Sequence, residues 1–189
     1  MKPSALLLLT LLAPAAAFAD APNFKYDYLE AGHLNVSPQN DQNGKGNYVG
    51  LSYSIFDGVQ VTGSYARLDY DSTPGKPTAK DYTFGFTGES RLTDDTDAYT
   101  DVLYVNDQVD NQGVSTTENG YRLEIGLRRA LTSWAELDGF LAHDYLNTSD
   151  NEIGLGAMFD PVPWFALGLS YAHNNAYTNT TTLRLRLYF

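Results

Sequence analysis

The sequence predicts an all-β fold, a transmembrane antiparallel up-and-down β-barrel of about ten strands, on three observations. Strand-like segments rich in Tyr, Val, Leu, Thr and Phe recur along the chain past residue 20, with no helical period between them. Midway along those segments charges recur at one parity, and most leucines and many aromatics at the other. The connections between them alternate between tight turns and longer polar stretches, the asymmetry of a barrel that crosses a membrane.

The first element is not a strand. MKPSALLLLTLLAPAAAFAD carries one base, Lys2, an apolar run from Ala5 to Leu12, and Ala17 and Ala19 flanking Phe18. This is the layout of a secretory signal peptide with an A-x-A cleavage site, so residues 1–19 are expected to be removed on export and 20–189 to form the barrel domain. A spanning helix needs ~20 apolar residues, more than this run supplies, and Pro14 interrupts it.

Strands are expected at 24–35, 46–56, 59–70, 80–90, 96–106, 119–130, 134–145, 151–159, 164–173 and 180–189. The connections near residues 56–58, 91–95, 131–133 and 160–163 are tight. Those at 37–45, 71–79, 106–118, 146–150 and 174–179 are mostly longer and rich in Asn, Asp, Thr, Gly and Pro, the composition of loops.

One row of each strand suits lipid: Val49, Leu51, Tyr53 and Ile55; Tyr82, Phe84 and Phe86; Tyr121, Leu123, Ile125 and Leu127; Phe165, Leu167, Leu169 and Tyr171. The opposite row holds Gly, Ser, Thr and the ions. The expected lumen network is Glu30, Glu89, Asp101, Arg122, Glu124, Arg128, Glu136, Asp138, Arg184 and Arg186, because a charge inside a narrow barrel must find a partner or water. A soluble barrel with an apolar interior would not tolerate these charges, which excludes a lipocalin-like fold. The small lumen residues are expected to leave more room than bulky ones would, so the network is either a salt-bridge plug or a charged constriction in a narrow water path.

The closing strand, LRLRLYF, puts Leu183, Leu185, Leu187 and Phe189 on the lipid side and Arg184 and Arg186 inside. With the signal peptide and the alternating strands, this ending resembles the small outer-membrane β-barrel proteins of Gram-negative bacteria. The resemblance implies that Leu183, Leu185, Leu187 and Phe189 form the signal read by the barrel-assembly machinery. The stretches YDYLEAGH (Tyr26–His33), FDGVQVTGSYA (Phe56–Ala66) and ENGYRLEIGLRRAL (Glu118–Leu131) are similar to the diffusible-signal-factor-regulated, or "faux quorum", outer-membrane family. That family offers no catalytic motif to carry over.

Nothing in the sequence points to catalysis, a cofactor or a metal. G-x-S-x-G and H-E-x-x-H are absent. His33, His143 and His173 share the lipid-facing parity near strand ends, where polar aromatics belong at a headgroup interface. Asp69, Asp71, Asp107, Asp110, Glu118 and Asp150 are expected in or beside the loops, where ordinary solvation accounts for them better than divalent cations held against lipopolysaccharide. The absence of cysteine leaves stability to packing or a bilayer. The net charge of -11, or -12 without Lys2, argues against nucleic acid as a partner.

The expected location is the cell outer membrane, with outer-membrane lipid and lipopolysaccharide around the barrel and a partner, if any, at the loops. The expected function is non-catalytic, structural or surface-interacting. The alternative is a narrow, porin-like diffusion channel for ions or very small polar solutes.

Overall fold

The computed structural model describes residues 24–38, 43–71, 75–147, 149–175 and 178–189. The expected signal peptide, residues 1–19, lies outside the described residues. The strands are β1 (Tyr28–Pro38), β2 (Gly44–Phe56), β3 (Val59–Tyr70), β4 (Thr78–Thr93), β5 (Thr96–Asn111), β6 (Val114–Thr132), β7 (Ala135–Tyr145), β8 (Asp150–Val162), β9 (Phe165–Asn174) and β10 (Thr178–Tyr188). Each pairs antiparallel with its neighbour in sequence, and β1 pairs with β10 to close the barrel without an edge. The all-β, ten-stranded fold is the one the sequence predicts.

Its two ends are unlike. At one, β2–β3, β4–β5, β6–β7 and β8–β9 are joined by two residues each, and a register shift lies beside every one of these turns. Such bulges raise the local twist and help a sheet to close. Gly58 supplies the positive φ (72°) for the β2–β3 turn. In the β4–β5 turn the hydroxyls of Thr93 and Thr96 donate to Asp95 Oδ1, which holds this carboxyl below its ordinary pKa. The described parts of both termini lie at this turn end.

The opposite, loop end departs from expectation in one place. Residues 106–118 are not a loop: β5 and β6 stay paired from Asn106↔Asn119 up to Asn111↔Val114. Gln112 and Gly113 turn the chain with φ of 52° and 84°. Two positive φ values make a primed turn, whose twist matches that of the flanking strands, so pairing runs to the tip. The segment's polarity suggested a loop because a hairpin standing in water needs no apolar face. Asp107 and Glu118 are therefore cross-strand partners at lumen parity, and Asp110 faces outward.

At the turn end the chain also differs. Strand β1 begins at Tyr28, and Phe24–Asp27 do not extend the ladder as expected. Phe24 is buried, Tyr26 donates to Asp97 Oδ2 at 3.0 Å, and the amide of Ser54 donates to Asp27 Oδ1 at 2.5 Å. This segment crosses the mouth of the barrel.

The outer wall is an exposed apolar band bounded by aromatic pairs. Tyr65 with Tyr82 and Tyr104 with Tyr121 mark its upper rim, Trp134 with Phe159 and Trp164 with Phe165 its lower. Leu183, Leu185, Leu187 and Phe189 all lie on this outer wall, and Phe189 stacks on Tyr53 at 6.5 Å. Water would be a poor solvent for such a surface, whereas hydrocarbon between two interfacial belts suits it.

Candidate functional site: the barrel lumen

Strand parity places all ten expected network residues inside, and the structure sorts them into pairs. Nearest the turn end, Arg128 Nη2 donates to both oxygens of Glu136, at 2.7 and 2.8 Å. The rings of Phe24 and Tyr26 lie 4.9 and 4.8 Å from its guanidinium carbon. Beside this pair, Arg186 donates to Glu30 Oε2, with Nη2 at 2.6 Å, under the face of Tyr28 at 3.9 Å. Tyr48 donates to the other Glu30 oxygen at 2.5 Å. These four ions are under a tenth exposed.

Above them Arg184 donates to Asp138 at 3.3 Å. Arg122 gathers three carboxylates, Glu124 at 3.1 Å, Asp144 at 3.1 Å and Glu152 at 2.6 Å. Buried ions of this kind hold together because each charge has an opposite partner and further donors; alone, each would be costly.

Glu89 and Asp101 are not drawn into these ion pairs. Glu89 faces Tyr26 and Gln60, while Asp101 faces Thr87 and Glu124. Among the described residues, Glu89 Oε2 and Asp101 Oδ1 are buried without a hydrogen-bond partner. Between the two groups of arginines lies a cavity of about 160 Å³, lined by Glu30, Asp101, Glu124, Asp138, Arg184 and Arg186 among others. That is room for several waters.

The expectation that small lumen residues leave room is corrected by the register. Gly32 faces Tyr48, Gly126 faces Tyr99, and Gly154 faces Phe140 as direct cross-strand partners. In each pair the ring folds over the glycine, so that a Cβ there would meet ring carbons at 2.2–2.3 Å. Gly168 is covered in the same way by Met158. The space that glycine opens on one strand is filled from the next.

Asp97, Asp144 and Glu152 belong to this interior although they were not among the expected ions. Parity alone would have placed them, since Asp144 follows Asp138 and Asp97 precedes Asp101 at even spacing. The capping role of Phe24 and Tyr26 carries no such signal.

The histidines face outward, spread over β1, β7 and β9. Each ring nitrogen Nδ1 meets an asparagine oxygen on the neighbouring strand: His33 with Asn47 at 3.0 Å, His143 with Asn151 at 2.7 Å, His173 with Asn179 at 2.8 Å. Among the described residues, no group of three or more His, Cys, Asp or Glu is placed to hold a metal ion.

No protein-family model matches the sequence, and no curated protein matches it. Solved structures do. The NanC porin aligns with a TM-score of 0.50 at 10% identity, covering 85% of this chain and 98% of that one. The fold is that of an outer-membrane β-barrel. The KdgM porin in complex with disordered oligogalacturonate aligns at 0.44 and 10% identity, over 88% of this chain and 99% of that chain. Neisserial surface protein A aligns at 0.44 and 15%, over 87% and 96%.

Proposed function

We propose that this barrel resides in the outer membrane, turn end towards the periplasm, as a non-catalytic envelope protein whose lumen is closed. One observation carries the reading. At the turn end Arg128–Glu136 and Arg186–Glu30 are buried side by side under Phe24, Tyr26 and Tyr28. An ion crossing there would have to break both buried salt bridges, each held in a low-dielectric setting. The outward histidines, set apart and held by asparagine, support the non-catalytic side of the reading. Likeness to the faux-quorum outer-membrane proteins belongs to the same proposal, on the three stretches that carry it.

A narrow channel is the second reading, favoured by a cavity with room for several waters and by the unpartnered Asp101 oxygen that lines it. Planar-bilayer recording separates the two. The refolded protein is expected to be electrically silent, with folding verified on the same sample by faster gel migration when unheated. Reproducible small steps, altered in selectivity by Arg184→Ala, would reject the closed lumen and establish the channel.

Location and assembly have their own tests. Fractionation should recover the protein with outer membranes, and recovery as a soluble periplasmic protein would refute the reading. We propose that the outward row ending in Phe189 is what the barrel-assembly machinery reads. Phe189→Asp is therefore expected to collapse the membrane-inserted yield while leaving refolding of the purified chain into micelles intact. Unchanged yield in cells would remove the assembly role.

A further inference from the structure

Basic side chains outside the lumen are few, and they are not spread evenly around the barrel. Lys45 on β2, Arg67 on β3 and Lys80 on β4 all face outward near the loop end, and Lys76 precedes β4 in the connection from β3. The register makes them neighbours. His33, Asn47, Arg67 and Lys80 form one continuous cross-strand row, and Lys45 lies one outward position above Asn47. In a chain of net charge -11, this patch is unusual because Lys45, Arg67 and Lys80 outnumber the outward acids beside them, Asp69 and Asp110.

Its height on the wall is fixed by what lies beneath. One outward position below Arg67 and Lys80 stand Tyr65 and Tyr82, cross-strand partners with rings 4.9 Å apart. Tyrosines of this kind mark the boundary between hydrocarbon and headgroups. The row above them is therefore at the level of lipid phosphates.

A groove of about 460 Å³ opens here, with His33, Lys45, Asn47 and Arg67 along its upper part and Val49 and Tyr65 along its lower. Its polar half suits an anion and its apolar half a chain. Asp69 also lines it, with Oδ1 accepting from the Thr78 hydroxyl at 3.1 Å. The internal ion pairs here are weak competitors. Arg67 to Asp69 spans 3.5 Å between exposed groups, Lys80 to Asp110 spans 3.5 Å between half-buried ones, and Lys45 makes no ion pair among the described residues.

We propose that this groove binds the phosphate of an anionic outer-leaflet glycolipid, with Lys45 and Arg67 on the phosphate, Lys80 adding its charge from beside Arg67, and Val49 and Tyr65 against the first part of an acyl chain. Arginine and lysine are the side chains that phosphate recognition uses, and a partly desolvated interface strengthens each charge-assisted bond. The proposal rests on the membrane-barrel reading. Fractionation tests that reading in cells, whereas the binding test below uses refolded protein in micelles, so the two can fail separately.

The test is native mass spectrometry of the refolded barrel in detergent, with diphosphorylated lipid A and with the same lipid stripped of its phosphates. Wild type is expected to hold the phosphorylated lipid at least about tenfold more tightly than the triple variant Lys45→Ala, Arg67→Ala, Lys80→Ala. The stripped lipid should not distinguish them. Lys45→Ala alone should lose some of the difference, which covers the case of a triple variant that fails to fold. Arg129→Ala, an exposed arginine paired with Asp95 at the turn end, should bind as wild type does. Equal affinity in wild type and triple variant, equal loss in Arg129→Ala, or indifference to the phosphates would each overturn the proposal. So would displacement of the lipid by inorganic phosphate at the same phosphate concentration, which would assign the groove to a soluble anion.

Discussion

Arg128→Ala is expected to lower the stability of the folded barrel by about 3–5 kcal/mol, the cost of leaving a buried ion without its partner. Glu136 would remain, under a tenth exposed, with both carboxylate oxygens stripped of the Nη2 donor that they share. Phe24 and Tyr26 would lose the cation on which they pack. The measurement is denaturant unfolding of the refolded protein, read by the gel shift between folded and unfolded forms. A second variant tells apart the cost of an orphaned charge and the worth of the pair. Arg128→Met with Glu136→Leu removes both charges at similar volume and is expected to recover most of the loss. Wild-type stability in Arg128→Ala would mean that water reaches Glu136, and the closed-lumen reading would go with it.

The same pair shows what the sequence could and could not reveal. Parity put Arg128 and Glu136 inside together, because residues at even spacing share a face and lipid penalises a charge on the other. Which acid each arginine takes was not legible, since partners come from different strands and depend on barrel stagger. Glu30 and Arg186 are 156 residues apart and meet only because β1 closes against β10. Arg122 lies on β6 and draws Asp144 and Glu152 from the next two strands.

The errors have physical causes as well. Polar composition made residues 106–118 read as a loop, although a hairpin above the membrane can pair with water on both faces. Strand-like composition made 24–27 read as the start of β1, although its aromatics find a better surface on Arg128 than in another ladder pair. The basic row on β2–β4 was present in the sequence but had no meaning there, because only the register sets Lys45, Arg67 and Lys80 side by side.

Gly126→Val is expected to cost about 1–3 kcal/mol, the usual range for forcing extra carbons into a filled interior. A Cβ at this position would lie 2.3 Å from Tyr99 Cζ and 2.5 Å from its hydroxyl oxygen, so the ring must leave. Its departure breaks the bond that Tyr99 donates to Glu124 at 3.2 Å, beside the Arg122 cluster. Gly50 provides the contrast on the same lumen wall. A Cβ there meets nothing nearer than 3.7 Å, so Gly50→Ala should be neutral or stabilising, since alanine spares the entropy that glycine loses on folding. A composition count treats the two glycines alike, whereas the register makes one substitution costly and the other tolerated. Combining Gly126→Val with Tyr99→Ala should cost less than the two single changes added together, because the smaller partner vacates the space that valine needs. Strict additivity would show that the ring and the glycine are not packed against each other, and would restore the open lumen that the small residues first suggested.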